Sequence, residues 1–208
     1  MKIAFVICND VTLLDFAGDC DPLTRLKSMG FVPDLSWDVC ARTPTVRSIE
    51  GTELVPACVG NDLSAYDYMI IPGGDGIKGL MRDPVFLRWI SVASEKTTIA
   101  AVCGGVLLLG AAGFLRERRA TTHPELQAIL KNFAREVSTN RIVDEGCIIT
   151  AGGVTSLIDL GLSLRKDCRA GCAGEDPEAD GLPALFHSMN GSGCCLFSLD
   201  RNAIPVVP

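Results

Sequence analysis

Aromatic residues are scarce in this sequence, 6% of 208 residues, and no cluster of lysine and arginine offsets a net charge of −6. Base-stacking platforms and a basic phosphate-binding face are therefore both missing, and no nucleic-acid partner is expected. No run reaches the roughly 18 to 20 uninterrupted apolar residues of a membrane span, so no membrane partner is expected either. Histidine occurs only at His123 and His187, and the ten cysteines include no C-x2-C pair. A zinc site has little support from such a set, and no metal is expected. The opening run "MKIAFVICND" is too short for a secretory h-region and reads as a first strand. A cytoplasmic chain without a disulfide framework is the resulting expectation.

Hydrophobic content of 48% against 21% charged residues is ample for a core. Short apolar strands alternate with helical patterns. Lys2–Cys8 is a continuous apolar run, as in a strand covered on both faces. Leu13–Met29 carries helix-spaced apolar residues and stops at Gly30. Trp37–Ala41 is the next strand, "VRSIEGTELVPACV" reads as a β-ribbon, and "YDYMIIPGGDG" is a buried strand ending in a glycine-rich turn. Pro84–Glu95 is helical, Thr98–Val102 a strand, and Gly105–Ala112 a helix closed by Gly113. "RRATTHPELQAIL" gives a short strand and a helix whose start reads as a capping box of Thr122 and Glu125. "RIVDEGCIIT" forms a hairpin turning at Asp144–Gly146, and "GGVTSLIDLGLSL" is an apolar helix. The alternation predicts a three-layer α/β sandwich with a mainly parallel sheet. Cys8, Cys40, Cys58 and Cys147 sit in or beside strand-like segments and read as small core residues. Periodicity ends near Leu164, so residues 1–164 are expected to form the α/β domain and 165–208 an irregular tail.

The stretch "TTIAAVCGGVLLLGAAGF" places Cys103 where a strand turns into a helix, followed by Gly104 and Gly105. A turn that sharp strains its central residue and thrusts the side chain clear of the sheet, the logic of a nucleophile elbow. The N–H groups of the following helix face the sulfur and are expected to lower its pKa. A buried cysteine packed at a strand end is the competing reading. In "IIPGGDG", Gly73 and Gly74 end another strand, where bare backbone presents N–H donors to a ligand. A plain turn or a weak phosphate cradle competes there, and we do not read the stretch as a dinucleotide fingerprint. Asp15, between Leu14 and Phe16, is either a helix-start residue or a carboxyl group kept close to chemistry. Loops at the C-terminal ends of parallel strands share one edge, where Asp15, Gly74 and Cys103 can meet. Beside a thiolate, Asp15 is expected to have a raised pKa.

Together "IAFVICNDVTLLDFAGDCDPL", "YDYMIIPGGDGIKGLM", "AAVCGGVLLLGAAGFLRERRATTH" and "IITAGGVTSLIDLGLSL" resemble the ThiJ/PfpI superfamily, flavodoxin-like cysteine proteins related to class I glutamine amidotransferases. "LLDFAG" and "RATTH" are similar to the isocyanide hydratase branch and to sensor-like domains of AraC-type regulators. The resemblance implies a cofactor-free, cysteine-dependent hydro-lyase that converts a small-molecule isocyanide to an N-substituted formamide. It implies Cys103 as nucleophile, Asp15 as acid/base, Gly74 and Gly104 as oxyanion donors, Gly73 and Gly105 at the substrate, and a homodimer. A non-catalytic small-molecule or oxidative-stress sensing domain is the alternative, and a glyoxalase or deglycase activity ranks third because that branch uses Glu where Asp15 stands. Relatives of the hydratase branch carry Thr where this chain has Gly104, and the protease-like branch carries His there. His123 is expected at a helix start rather than in catalysis.

Overall fold

A computed structural model describes residues 1–93, 97–153 and 156. The expected boundary at 164, the tail 165–208 and all but one residue of the apolar helix after Gly153 lie outside these residues.

The chain begins with β1 (Lys2–Val6), α1 (Leu13–Ser28) and β2 (Ser36–Ala41). A ribbon of β3 (Val46–Arg47) and β4 (Glu53–Leu54) follows, then β5 (Cys58–Val59) and β6 (Tyr68–Ile71). Next come α2 (Ile77–Leu80), α3 (Pro84–Ser91), β7 (Thr98–Val102) and α4 (Gly105–Ala111). β8 (Arg119–Ala120), a 3-10 turn (Pro124–Leu126), α5 (Gln127–Leu130), β9 (Glu136–Val137), β10 (Ile142–Asp144) and β11 (Ile148–Ala151) complete the described elements.

Seven strands form the central sheet in the order β10-β11-β7-β6-β1-β2-β5. Every pair is parallel except β10 with β11. The reason is visible in β7. Ile99 and Ala101 pack into one apolar cluster with Ile77, Phe86, Ile90 and Leu107. Ala100 and Val102 pack into a second, with Leu23 and Leu26 of α1. A strand covered on both faces has no use for polar alternation, hence the unbroken apolar runs. Burying each Leu or Ile of these layers contributes on the order of 2 kcal/mol.

Three local expectations are corrected. Cys58–Val59 does not continue the β3–β4 ribbon but joins β2 as the edge of the main sheet. Cys147 is exposed rather than a core residue, while Cys40 is buried and Cys8 and Cys58 are half-buried. No Thr122–Glu125 capping box forms: the turn at Pro124 is capped by His123, whose Nδ1 accepts from the Glu125 N–H at 3.4 Å.

Candidate active site

The loops leaving three adjacent strands, β1, β6 and β7, meet at one edge of the sheet. Backbone hydrogen bonds interlock them. The Thr12 N–H donates to the Gly73 carbonyl at 3.2 Å, and the Asp75 N–H to the Asp10 carbonyl at 2.9 Å. The Cys103 N–H donates to the Ala151 carbonyl at 3.1 Å, tying the turn to β11.

Cys103 has φ of 52°, a left-handed conformation rare for a residue with a side chain. Such strain persists only where the surroundings over-determine it. One constraint is Thr122, fully buried, whose Oγ1 donates to the Cys103 carbonyl at 2.6 Å. A second is Gly105: a Cβ there would overlap the Ile71 carbonyl oxygen, so α4 starts pressed against the end of β6. A Cβ on Gly73 would lie 2.7 Å from Asp15 Oδ2, 2.8 Å from Cys103 Cβ and 2.8 Å from the Gly104 nitrogen. The carboxyl group, the sulfur-bearing residue and the first amide of the helix turn thus converge on one bare Cα.

Asp15 enters from the first turn of α1 and is 0% exposed. Burial raises its pKa above the ordinary carboxylate value, in the expected direction. The Cys103 thiol, the Gly73 amide and the His123 ring favour its charged form but do not outweigh burial, and neither oxygen completes a hydrogen bond of normal geometry. Cys103 is half-buried. Its thiol is not lowered as expected. Burial and the charge of Asp15 push it up to about 12, against the opposing pull of the Gly104 N–H. A seven-residue helix supplies too little field to reverse those two effects. The coupling is one of support in one direction and opposition in the other: the thiol favours an ionised Asp15, and an ionised Asp15 holds the proton on Cys103.

Of the other glycines singled out, Gly104 lies beside the sulfur with its N–H engaged there. The Gly74 N–H takes part in neither bond of the bridge to Val11, and Gly74 carries φ of 138°. Gly73 is buried with its N–H on Asp15, and Gly105 is buried against the end of β6. The run Gly74-Asp75-Gly76-Ile77-Lys78-Gly79 does carry the spacing G-x-G-x-x-G. The helix it opens is the single turn of α2, and Gly76 is pressed against the Asn9 carbonyl. The long helix whose N-terminus holds a pyrophosphate is not there, and the fingerprint fails on structure.

Three contributors were not singled out from sequence. Asp19, one turn beyond Asp15, is 1% exposed, and burial together with the Asp15 charge raises its carboxyl well above the ordinary value. Its helical spacing with Asp15, Leu23 and Leu26 is the signal that would have revealed it. Glu50 accepts from the Leu13 N–H at 3.2 and 3.3 Å and so anchors the start of α1 across the sheet edge. Thr122 is the third, hidden by its plausible role as a cap. Thr122 and His123 also border an open pocket of about 360 Å³, shared with Thr139, Asn140 and Arg141.

Comparison with known proteins agrees with this architecture. Residues 1–167 match the model of the DJ-1/PfpI family. Isonitrile hydratase of Pseudomonas putida is 33% identical over 168 residues, covering 80% of this chain and 72% of that one. The HTH-type transcriptional regulator GbdR of Pseudomonas aeruginosa is 27% identical over 78% of this chain and 45% of its own length. A THiJ/PfpI family protein from Pseudomonas syringae superposes with a TM-score of 0.71 at 28% identity, covering 90% of this chain and 78% of that one. The chain belongs to the DJ-1/PfpI family, and its fold is the flavodoxin-like α/β sandwich of that family.

Proposed function

We propose that this DJ-1/PfpI protein is a cofactor-free, cysteine-dependent hydratase that converts isocyanides to N-substituted formamides. The observation that carries the reading is the convergence of Asp15 Oδ2, Cys103 and the Gly104 N–H over Gly73. The similarity to isonitrile hydratase supports the choice of substrate class.

Chemistry follows from the pairing of a protonated thiol with a buried carboxyl group. Asp15, whose carboxyl burial raises above the ordinary carboxylate value, is a stronger base than an exposed aspartate. It takes the Cys103 proton as sulfur bonds to the terminal carbon of R–N≡C. Returning that proton to the same carbon gives a thioimidate, S–CH=N–R. Asp15 then deprotonates a water that adds to this carbon. Asp15 passes the proton it took from water to nitrogen, and collapse of the adduct breaks the C–S bond, releases the formamide R–NH–CHO and returns the hydroxyl proton to sulfur, with one water consumed. In this reading the Gly74 and Gly104 amides steady charge on nitrogen or oxygen during both additions. No step needs a metal or cofactor. We take the protein to act in the cytoplasm as a homodimer on a small-molecule substrate.

Incubation with a simple alkyl isocyanide tests this, with formamide as the readout. Turnover is expected, is abolished by Cys103→Ala, and falls on the order of 10² to 10⁴-fold in Asp15→Asn. Formamide no higher than the Cys103→Ala control removes this substrate class. A sensing domain is the second reading, favoured by the half-exposed Cys103 and the likeness to a transcriptional regulator. It ranks below because peroxide attacks thiolates, and this thiol is pushed up.

A further inference from the structure

Outside the elbow, two cysteines face each other at the edge of the sheet. Cys40 of β2 and Cys58 of β5 are direct partners in the parallel register. In-register partners point their side chains to the same face, and neighbouring strands lie about 4.8 Å apart. That separation falls inside the range of about 4.4 to 6.8 Å that Cα atoms span across a disulfide. Both sulfurs also touch one oxygen. Cys40 Sγ donates to Tyr66 Oη at 3.6 Å, and Tyr66 Oη lies 3.9 Å from Cys58 Sγ. The phenol is fixed in turn by donation to Asp38 Oδ2 at 2.8 Å, and Lys2 Nζ holds that carboxylate at 3.2 Å. Both thiols are free in this structure, and Cys58 is near enough to act on Cys40 by charge and hydrogen bonding.

We infer that Cys40 and Cys58 are a reversible dithiol–disulfide pair, a modification site distinct from Cys103, that a peroxide oxidises and a small thiol reduces. Access sets the order of events. Cys40 is fully buried and Cys58 half-buried, so the oxidant meets Cys58 first. Peroxide converts the Cys58 thiol to a sulfenic acid and releases one water. The Cys40 sulfur then attacks that sulfur, an S–S bond forms, the hydroxyl leaves as a second water with the Cys40 proton, and two electrons in all have passed to peroxide. Two equivalents of a small thiol reverse the step by exchange.

The linkage would close the base of the segment 41–57. That segment carries Glu50, which anchors α1 at Leu13, and Ile49, whose N–H donates to the Val11 carbonyl at 3.0 Å. Oxidation therefore clamps the support under the helix that bears Asp15, without touching the elbow itself.

Tryptic peptides 28–42 and 48–78 each contain a single cysteine, which makes the test direct. Full-length native protein is treated with mild hydrogen peroxide, quenched, unfolded in excess alkylating agent, digested and analysed by mass spectrometry. A cross-linked 28–42/48–78 species lighter by two hydrogens is expected. It disappears on treatment with dithiothreitol and is absent from Cys58→Ser. In Cys40→Ser, dimedone is expected to trap a sulfenic acid on peptide 48–78. Recovery of both peptides as separately alkylated thiols while peptide 97–116, which carries Cys103, is oxidised overturns the proposal. So does conversion of Cys58 to sulfinic acid with Cys40 still reduced. Neither outcome depends on whether isocyanide turnover is observed.

Discussion

Asp15 and Asp19 lie one turn apart on the buried stripe of α1, followed by Leu23 and Leu26. A carboxyl in such a layer keeps its proton, because its charged form has lost water without gaining a cation's compensation. The consequence for stability has a definite sign. Asp19 has a folded-state pKa well above its ordinary value. The fold therefore binds its proton more tightly than the unfolded chain, and stability is fully present below about pH 4. As pH rises from there toward the folded-state value, about 1.4 kcal/mol is lost per unit. Replacing Asp19 with Asn is expected to raise Tm at neutral pH, with the gain shrinking to nothing near pH 3. Scanning calorimetry across that range checks it, and a gain that does not change with pH contradicts the assignment. Asp15 was legible as a chemical residue because it interrupts an apolar stretch just past a strand. Asp19 has the same signature, but among the neighbouring acids Asp21 and Asp10 it reads as one more solvated charge.

At the level of elements, the elbow between β7 and α4 depends on what is absent from the neighbouring backbone. Gly73→Ala puts a methyl group 2.8 Å from Cys103 Cβ and from the Gly104 nitrogen, both tied to backbone. Loss of formamide production is expected, with destabilisation from a forced backbone shift. Gly104 is different. A Cβ there meets Ile77 Cγ1 at 3.3 Å, a side-chain atom that can yield by a few tenths of an ångström. Gly104→Thr is therefore expected to fold and to raise kcat by supplying a hydroxyl beside the sulfur. Steady-state kinetics with circular dichroism distinguishes the two variants. Thr122→Val removes the 2.6 Å bond to the Cys103 carbonyl and leaves it only the longer one from the Val106 N–H at 3.4 Å, costing about 0.5 to 1.5 kcal/mol. Urea titration measures that loss. The elbow itself was readable from the β-branched run, the cysteine and the two glycines. Its tether was not, since Thr122 is nineteen positions away and locally mimics a helix cap.

Across the whole molecule, the parallel sheet was legible because strands covered on both faces carry continuous apolar runs. Cys58–Val59 was misassigned because two residues at a sheet edge carry no periodicity; only the register with Cys40–Ala41 places them. The same long-range closure brings Glu50 to α1 and Asp15 to Cys103, and no local pattern announces either pairing. The expectation that failed at the site, a lowered thiol pKa, considered the helix in isolation. The assembled fold adds burial and a facing carboxylate, and these prevail. At the site, burial and the Asp15 charge together hold the proton on the Cys103 sulfur. Alkylation of Cys103 against pH, followed on peptide 97–116 by mass spectrometry in wild type and Asp15→Asn, tests it most directly. The wild-type rate should keep rising toward a midpoint near 12, and Asp15→Asn should bring that midpoint down. A wild-type midpoint below the ordinary thiol value of 9.0, unmoved by Asp15→Asn, would contradict the account.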